Sequence, residues 1–229
     1  MKILAIGAHP DDIEIFFYGT LAACAARGDE IFLAVATDGG AGGAGARADL
    51  IAKRANETCQ GLQKLGEPRL LGFPDGHLAN QTDASIIVTG LVREIQPDAV
   101  ITHAPEDYHP DHRALSRILE DAAGFMCPLY FADTLMGVGF APETYVDITA
   151  HQSEKQAAIM AHESQYPDRF AAAAELHNRF RAAQCNAPDG HYAEAFRMFR
   201  RFPFADAGAI LPPPPPLRPF YVPGSDAFL

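Results

Sequence analysis

KILAIGAHPDDIEIF, residues 2–16, decides the fold. Ile3, Leu4, Ala5 and Ile6 form an apolar run without polar alternation, the pattern of a strand buried on both faces. The strand is predicted over 2–8, and a histidine and three acids follow it at once: His9, Asp11, Asp12 and Glu14. Pro10 helps the strand to stop, and Asp11 or Asp12 can cap the helix predicted from Asp11 to Arg27. Capping explains one aspartate, but not an adjacent pair beside a histidine. Three carboxylates that close repel one another unless something positive sits among them.

Outward from this unit, short apolar runs alternate with helical patterns. EIFLAVAT (30–37) is predicted as a strand, DGGAGGAGA (38–46) as a loop and Arg47 to Leu65 as a helix. RLLGF (69–73) and DAVITHA (98–104) read as strands around a helix from Ala84 to Ile95. A helix from Asp111 to Phe125 precedes two further strands, PLYFADTL (128–135) and TYVDIT (144–149). EKQAAIMAHESQ (154–165) and RFAAAAELHNRFRAAQ (169–184) read as helical, and EAFRMFRRF (194–202) fits either the cleft wall or the core. The alternation predicts an α/β, doubly wound, Rossmann-like fold, with a largely parallel sheet sandwiched between helices. Ligands in such sheets bind at the carboxyl ends of the strands. AHPDD, TDGGAGGAG, FPDGH and HAPEDYHPDH all fall there.

A chain of 229 residues is enough for a single domain over 1–229 with a sizeable core. Its last part, 211–229, is a proline-rich arm whose five consecutive prolines (212–216) impose polyproline II. An arm laid over its own domain or a neighbouring subunit is favoured over a ligand for a proline-binding domain. The net charge of −11 argues against nucleic acid and against anionic membrane as partners. Cys24, Cys59, Cys127 and Cys185 are scattered and are expected to be buried free thiols. With no apolar run long enough to span a bilayer, a cytoplasmic protein is expected.

The chemistry lies in two clusters of the same design. His9 and Asp12 follow the first strand, and His109, Asp111 and His112 of YHPDH follow the fourth. Together they could give one metal two imidazoles and a carboxylate, leaving a position open for water. That set fits catalytic zinc and equally the facial triad of a non-haem iron enzyme. Spare acids and a spare histidine remain beside the metal for proton transfer.

AHPDDIE resembles the AHPDDxE signature of the LmbE-like (PIG-L) zinc-dependent N-deacetylases, and HPDH resembles their second motif. The likeness continues through TDG (37–39), Arg54-x-x-Glu57, FPDG (73–76) and HESQ (162–165), up to about Phe196. It implies an LmbE-like fold and Zn2+, with Fe2+ as the alternative metal, held by His9, Asp12 and His112. It implies Asp11 as general base, and His109 as the group that steadies the oxyanion or protonates the leaving amine. Asp111 would orient an imidazole, Glu14 would brace the motif, and Asp75 and Arg54 would meet the sugar. An exposed helix pair with Glu57 competes for Arg54, and a turn role competes for Asp75. The family often has an acid after TDG, where this chain has Gly40 and a glycine-alanine loop that could act as a lid.

The implied activity is removal of acetyl from an N-acetylglucosamine-type conjugate, a small-molecule substrate, and relatives that assemble suggest a homo-oligomer. The alternatives are an amidase for a larger acyl group, or a non-catalytic nucleotide- or sugar-binding module with a structural metal. His77, His103, His151, His162, His177 and His191 have no partner at ligand spacing and default to structural roles.

Overall fold

The computed structural model describes residues 1–207 and 210–218. Its seven strands are β1 (Lys2–Gly7), β2 (Glu30–Thr37), β3 (Arg69–Phe73), β4 (Ala99–His103), β5 (Leu129–Ala132), β6 (Thr144–Asp147) and β7 (Ala193–Met198). They form one sheet in the order β3-β2-β1-β4-β5-β7-β6. The first five are parallel, with Ile3 opposite Ala99 and Ile31 across β1's two neighbours. β7 runs antiparallel to both β5 and β6. The expected largely parallel α/β sheet is therefore present, with an antiparallel margin built from the EAFRM segment. Strand order reverses between β1 and β4, and such a switch point opens a crevice at the carboxyl ends of those strands.

Period-two alternation divides the core. Leu4, Ile6, Val100 and Phe131 pack against α4 (Ala84–Ile95) and α5 (Pro110–Ala123) on one face. Ile3, Ala5, Ile101 and Tyr130 pack on the other against α1 (Asp12–Phe16), α2 (Tyr18–Ala26) and Leu62 of α3 (Arg47–Leu62). α6 (Gln152–Met160) and α7 (Pro167–Gln184) complete that layer and enclose a small cluster around Ile15, Ile159 and Ala174.

Two predicted helices are interrupted. The one expected over Asp11 to Arg27 breaks at Phe17, where φ is −146°. The new N-terminus is held from far away: the Gly19 and Thr20 N–H groups donate to Glu194 on β7 at 2.9 and 2.8 Å. The second ends at Met160, and Glu163–Gln165 forms a separate 3-10 turn. Buried acids hold that turn from neighbouring helices: His162 Nε2 lies 2.8 Å from Glu14, and the Ser164 N–H donates to Glu57.

All four cysteines are free; Cys24 and Cys127 are buried, and Cys59 and Cys185 are half-buried. The described part of the arm lies over its own domain. The Pro213 carbonyl accepts from Asp147 N at 2.9 Å, and Leu211 joins the core. Residues 219–229 of the predicted arm lie outside the described residues. Among the described residues, no helix is long and apolar enough to cross a membrane.

Candidate active site

The turns after β1 and β4 meet at the switch point. His9 Nδ1, Asp12 Oδ2 and His112 Nε2 form a nearly equilateral triangle with sides of 3.2, 3.3 and 3.3 Å. Ligand atoms on a tetrahedral ion with bonds of about 2.0 Å lie about 3.3 Å apart. The donor set therefore fits a divalent cation. Other groupings in the same crowd come close, including His109 or His103 with His112. In these, the Asp111 N–H donates to one ring nitrogen of His109, Nδ1, and the Ala8 N–H to one of His103, Nε2.

Each ligand imidazole is held from behind, as metal-bound histidines require. His9 Nε2 lies 3.3 Å from Asp111 and 3.2 Å from Asp75. Asp111 is itself fixed by the N–H groups of Gly76 and Leu78, and Asp75 by that of Ala41. His112 Nδ1 faces Asp107 at 3.1 Å. The Asp107 carboxylate also accepts from the His109 N–H, so one acid sets both histidines of HPDH.

The electrostatics are those of a site built around positive charge. Burial would lower the His112 imidazolium, but Asp12 and Asp107 push it up to about 9. His9 is likewise raised against burial, by Asp12, Asp111 and Asp75. Burial would raise Asp12, yet His112, His103 and His9 hold it well below the usual carboxylate range. Protons on the two imidazoles thus supply positive charge that a divalent ion would replace.

Asp11 stands apart from this triangle. Its backbone sits at φ 126°, a conformation side chains rarely adopt, which costs about 1–3 kcal/mol. Arg54 braces it: Nη2 donates to the Pro10 carbonyl at 2.6 Å and lies 3.1 Å from the Asp11 carboxylate, while Nη1 donates to Gly39. Burial pushes the Asp11 carboxyl up to about 6, moderated by Arg54 and reinforced by Asp12. His109 is lowered by burial and by its neighbours His9 and His112. Because its Nδ1 accepts a backbone N–H, the neutral ring carries its proton on Nε2.

These groups line a cavity of about 280 Å³. Ile15, Phe16, Leu135 and Phe170 give the cavity apolar lining, and Ala41, Gly42, Arg54, Asp75, Gly76 and Gln165 also border it. The glycine-alanine loop thus borders the cavity. A Cβ on Gly42 would collide with the Arg54 guanidinium.

All the residues singled out from sequence belong to this region, though some do unexpected work. Asp75 stands behind His9, and Arg54 is 3% exposed and engaged with Asp11 and two loops, far from an exposed helix pair. Glu14 is fully buried and accepts from Thr58 while facing His162. Asp107 escaped sequence reading, and His103, left there as structural, stands beside the triangle. His103 stacks on His112 at 3.7 Å and reaches Asp12 at 3.0 Å. A histidine ending an otherwise apolar buried strand was the available signal.

The chain is 28% identical to the diacetylchitobiose deacetylase of Thermococcus kodakarensis, over 86% of this chain and 82% of the relative. The N,N'-diacetylchitobiose deacetylase of Pyrococcus horikoshii superposes with a TM-score of 0.77 at 24% identity, over 86% of this chain and 83% of that one. The 4-carboxy-2-hydroxymuconate hydratase of Pseudomonas putida KT2440 superposes at 0.76 with 20% identity, over 86% and 95%. Likeness at these structural identities speaks for the fold alone. The family model described as PIG-L, GlcNAc-PI de-N-acetylase, matches residues 4–123 and so spans the β1 turn, Arg54, the FPDG turn and HPDH. The chain belongs to the PIG-L family.

Proposed function

We propose that the protein is a zinc-dependent N-deacetylase that releases acetate from an N-acetylglucosamine-type conjugate. The observation that carries this reading is the His9, Asp12, His112 triangle with a separate, braced carboxylate, Asp11, beside it. A binding module with a structural metal needs no such acid. The named activity of the Thermococcus relative supports the substrate class.

His9, Asp12 and His112 would hold a zinc ion, which would supply Lewis acidity at the amide carbonyl and the attacking water. Asp11 takes the water's proton; a carboxyl near pH 6 is ionised at neutrality yet basic enough to accept it. Arg54 keeps that carboxylate aimed. His109 donates from Nε2 to the developing oxyanion as a neutral imidazole. The proton now on Asp11 passes to the amide nitrogen, without which the amine is a poor leaving group. Asp75 and Asp111 hold His9, and Asp107 holds His112, through the whole cycle.

The test is acetate release from a panel of acetamido sugars by protein supplied with zinc, iron or chelator. Release with zinc, lost on chelation and in Asp11→Asn, is expected. Tight metal binding without acetate release from any member would overturn the reading. The panel should include a hydroxymuconate, because the same fold carries a hydratase.

A further inference from the structure

A second cavity, of about 360 Å³, lies where α5 meets the 3-10 turn Leu78–Asn80 and the start of α4. Leu78, Ala114 and Ile118 give it apolar lining, and Arg113 and Arg117 border it with no acid among the lining residues. The two arginines stand one turn apart on α5, where like charges are neighbours and destabilise the helix. The chain has 29 acids against 18 lysines and arginines, yet neither arginine forms an ion pair among the described residues. Burial pushes the Glu120 carboxyl up, and Arg117 opposes that rise without pairing with it.

Arg113 is held in a way that fixes what it still offers. Its Nη1 donates to the carbonyls of Asp107 at 2.8 Å and Tyr108 at 2.6 Å, which uses both protons of that nitrogen. The Nε–H and the Nη2 group remain without a hydrogen bond among the described residues. They form the side-on fork of the guanidinium, two parallel donors that match a carboxylate or a phosphate. Arg117 adds a second positive charge, and the apolar lining suits a hydrocarbon body. The same contacts join this cavity to the metal triangle. Asp107, whose carbonyl Arg113 holds, faces His112 Nδ1 and accepts from the His109 N–H. Leu78 donates its N–H to Asp111, which faces His9. Acids behind both ligand imidazoles are thus set by residues that border the second cavity.

We propose that the Arg113–Arg117 cavity is an effector site for a small organic oxyanion with an apolar body. An anion on the Arg113 fork holds the guanidinium, and with it the Asp107 turn, and so tightens the metal site. This rests on the triangle as a metal site and not on acetate release. Linkage requires the reverse as well: a bound metal ion tightens the oxyanion by the same factor.

The test is calorimetric titration of phenyl phosphate and phenylacetate into the full-length protein, zinc-loaded and chelated, with acetate release measured in parallel. Inorganic phosphate and acetate serve as anions without an apolar body, and benzyl alcohol as a body without charge. One aromatic anion is expected to bind at least about tenfold more tightly than every control, and which one does tells a phosphate from a carboxylate. Zinc should tighten that anion at least about fivefold, and the anion should tighten zinc equally. Arg117 is exposed, so Arg117→Met should leave the thermal midpoint and the zinc affinity without anion unchanged. It should weaken the anion about tenfold. Arg113→Lys keeps a charge but loses the fork, and should weaken the anion by about as much.

Failure of both aromatic anions to bind overturns the assignment. Binding that survives Arg117→Met does so too, because it marks coordination to the metal itself. Anion binding that leaves zinc affinity unchanged overturns the effector role. If anion and zinc tighten each other but no acetate is released, the effector site stands and the deacetylase proposal falls. If acetate is released and the two ligands ignore each other, the deacetylase proposal stands and the effector site falls.

Discussion

Two of the buried charge clusters in this fold, around Glu194 and around Asp12, are built on opposite plans. Around Glu194, both carboxylate oxygens are met locally: Oε1 accepts from Lys155 at 2.6 Å and from Gly19 N, and Oε2 accepts from Thr20 N. Around Asp12, a single carboxylate oxygen faces His9, His103 and His112, while Asp107 Oδ2 and His103 Nδ1 have no hydrogen-bond partner among the described residues. The first cluster is closed, charge against charge, and locks β7 to α2 and α6. The second leaves its triangle of donor atoms open to a cavity.

The contrast breaks most sharply at the open cluster. Asp11→Asn should lower kcat by about 10³-fold, within the range of general-base catalysis, while metal content and thermal midpoint stay unchanged. A parallel loss of metal would mean that Asp11 belongs to the ligand set and that the division between Asp11 and Asp12 is wrong.

Glu194→Ala should have the opposite character. Removing one partner of a buried ion pair strands Lys155 and should lower unfolding free energy in urea by about 3–5 kcal/mol. Restoring much of that loss with the added change Lys155→Met would show that the stranded charge, not the lost helix cap, is responsible.

A smaller effect follows from the imidazole protons. His112 holds its proton up to about pH 9, so a divalent ion must displace it at any lower pH. Zinc affinity measured by competition with a chelator of known pH dependence should rise, between pH 6 and 8, about tenfold per pH unit for each imidazole proton displaced. A flat profile would place the metal elsewhere.

The smallest expected effect concerns the HESQ turn. Burial would lower His162, but Glu14 beside it, with Asp11 and Glu57, raises it. A raised folded-state value gives stability that is complete below the unfolded value, near 6.5, and is lost as pH rises through the folded one. The urea midpoint of the wild type should therefore decline through and above neutrality, and His162→Asn should lose that component of the slope.

Much of this was legible because spacing carries local information. AHPDDIE and HPDH placed metal-binding chemistry at the ends of two strands, and apolar runs placed those strands in a parallel sheet. What stayed hidden depends on contacts that no local pattern records. The family resemblance implied Asp75 and Arg54 as sugar contacts, but no local pattern told that tertiary folding would also set one against His9 and the other against Asp11 at the cavity's edge. The break at Phe17 depends on a carboxylate 175 residues from Gly19. Asp107 lies only two residues before His109, but nothing in its spacing tells which imidazole it will face.

The segment DGGAGGAGA reads as a spacer in which one small residue could replace another. At Gly42 that freedom ends, because a single methyl group would press on the guanidinium that braces Asp11. An alanine scan of this loop should therefore be uneven. Gly43 would press only on the movable end of Leu50, whereas Gly42 should lose activity through a residue it is not bonded to. A run of glycines that looks like low-information sequence contains positions, Gly42 and Gly39 among them, where a side chain would press on Arg54.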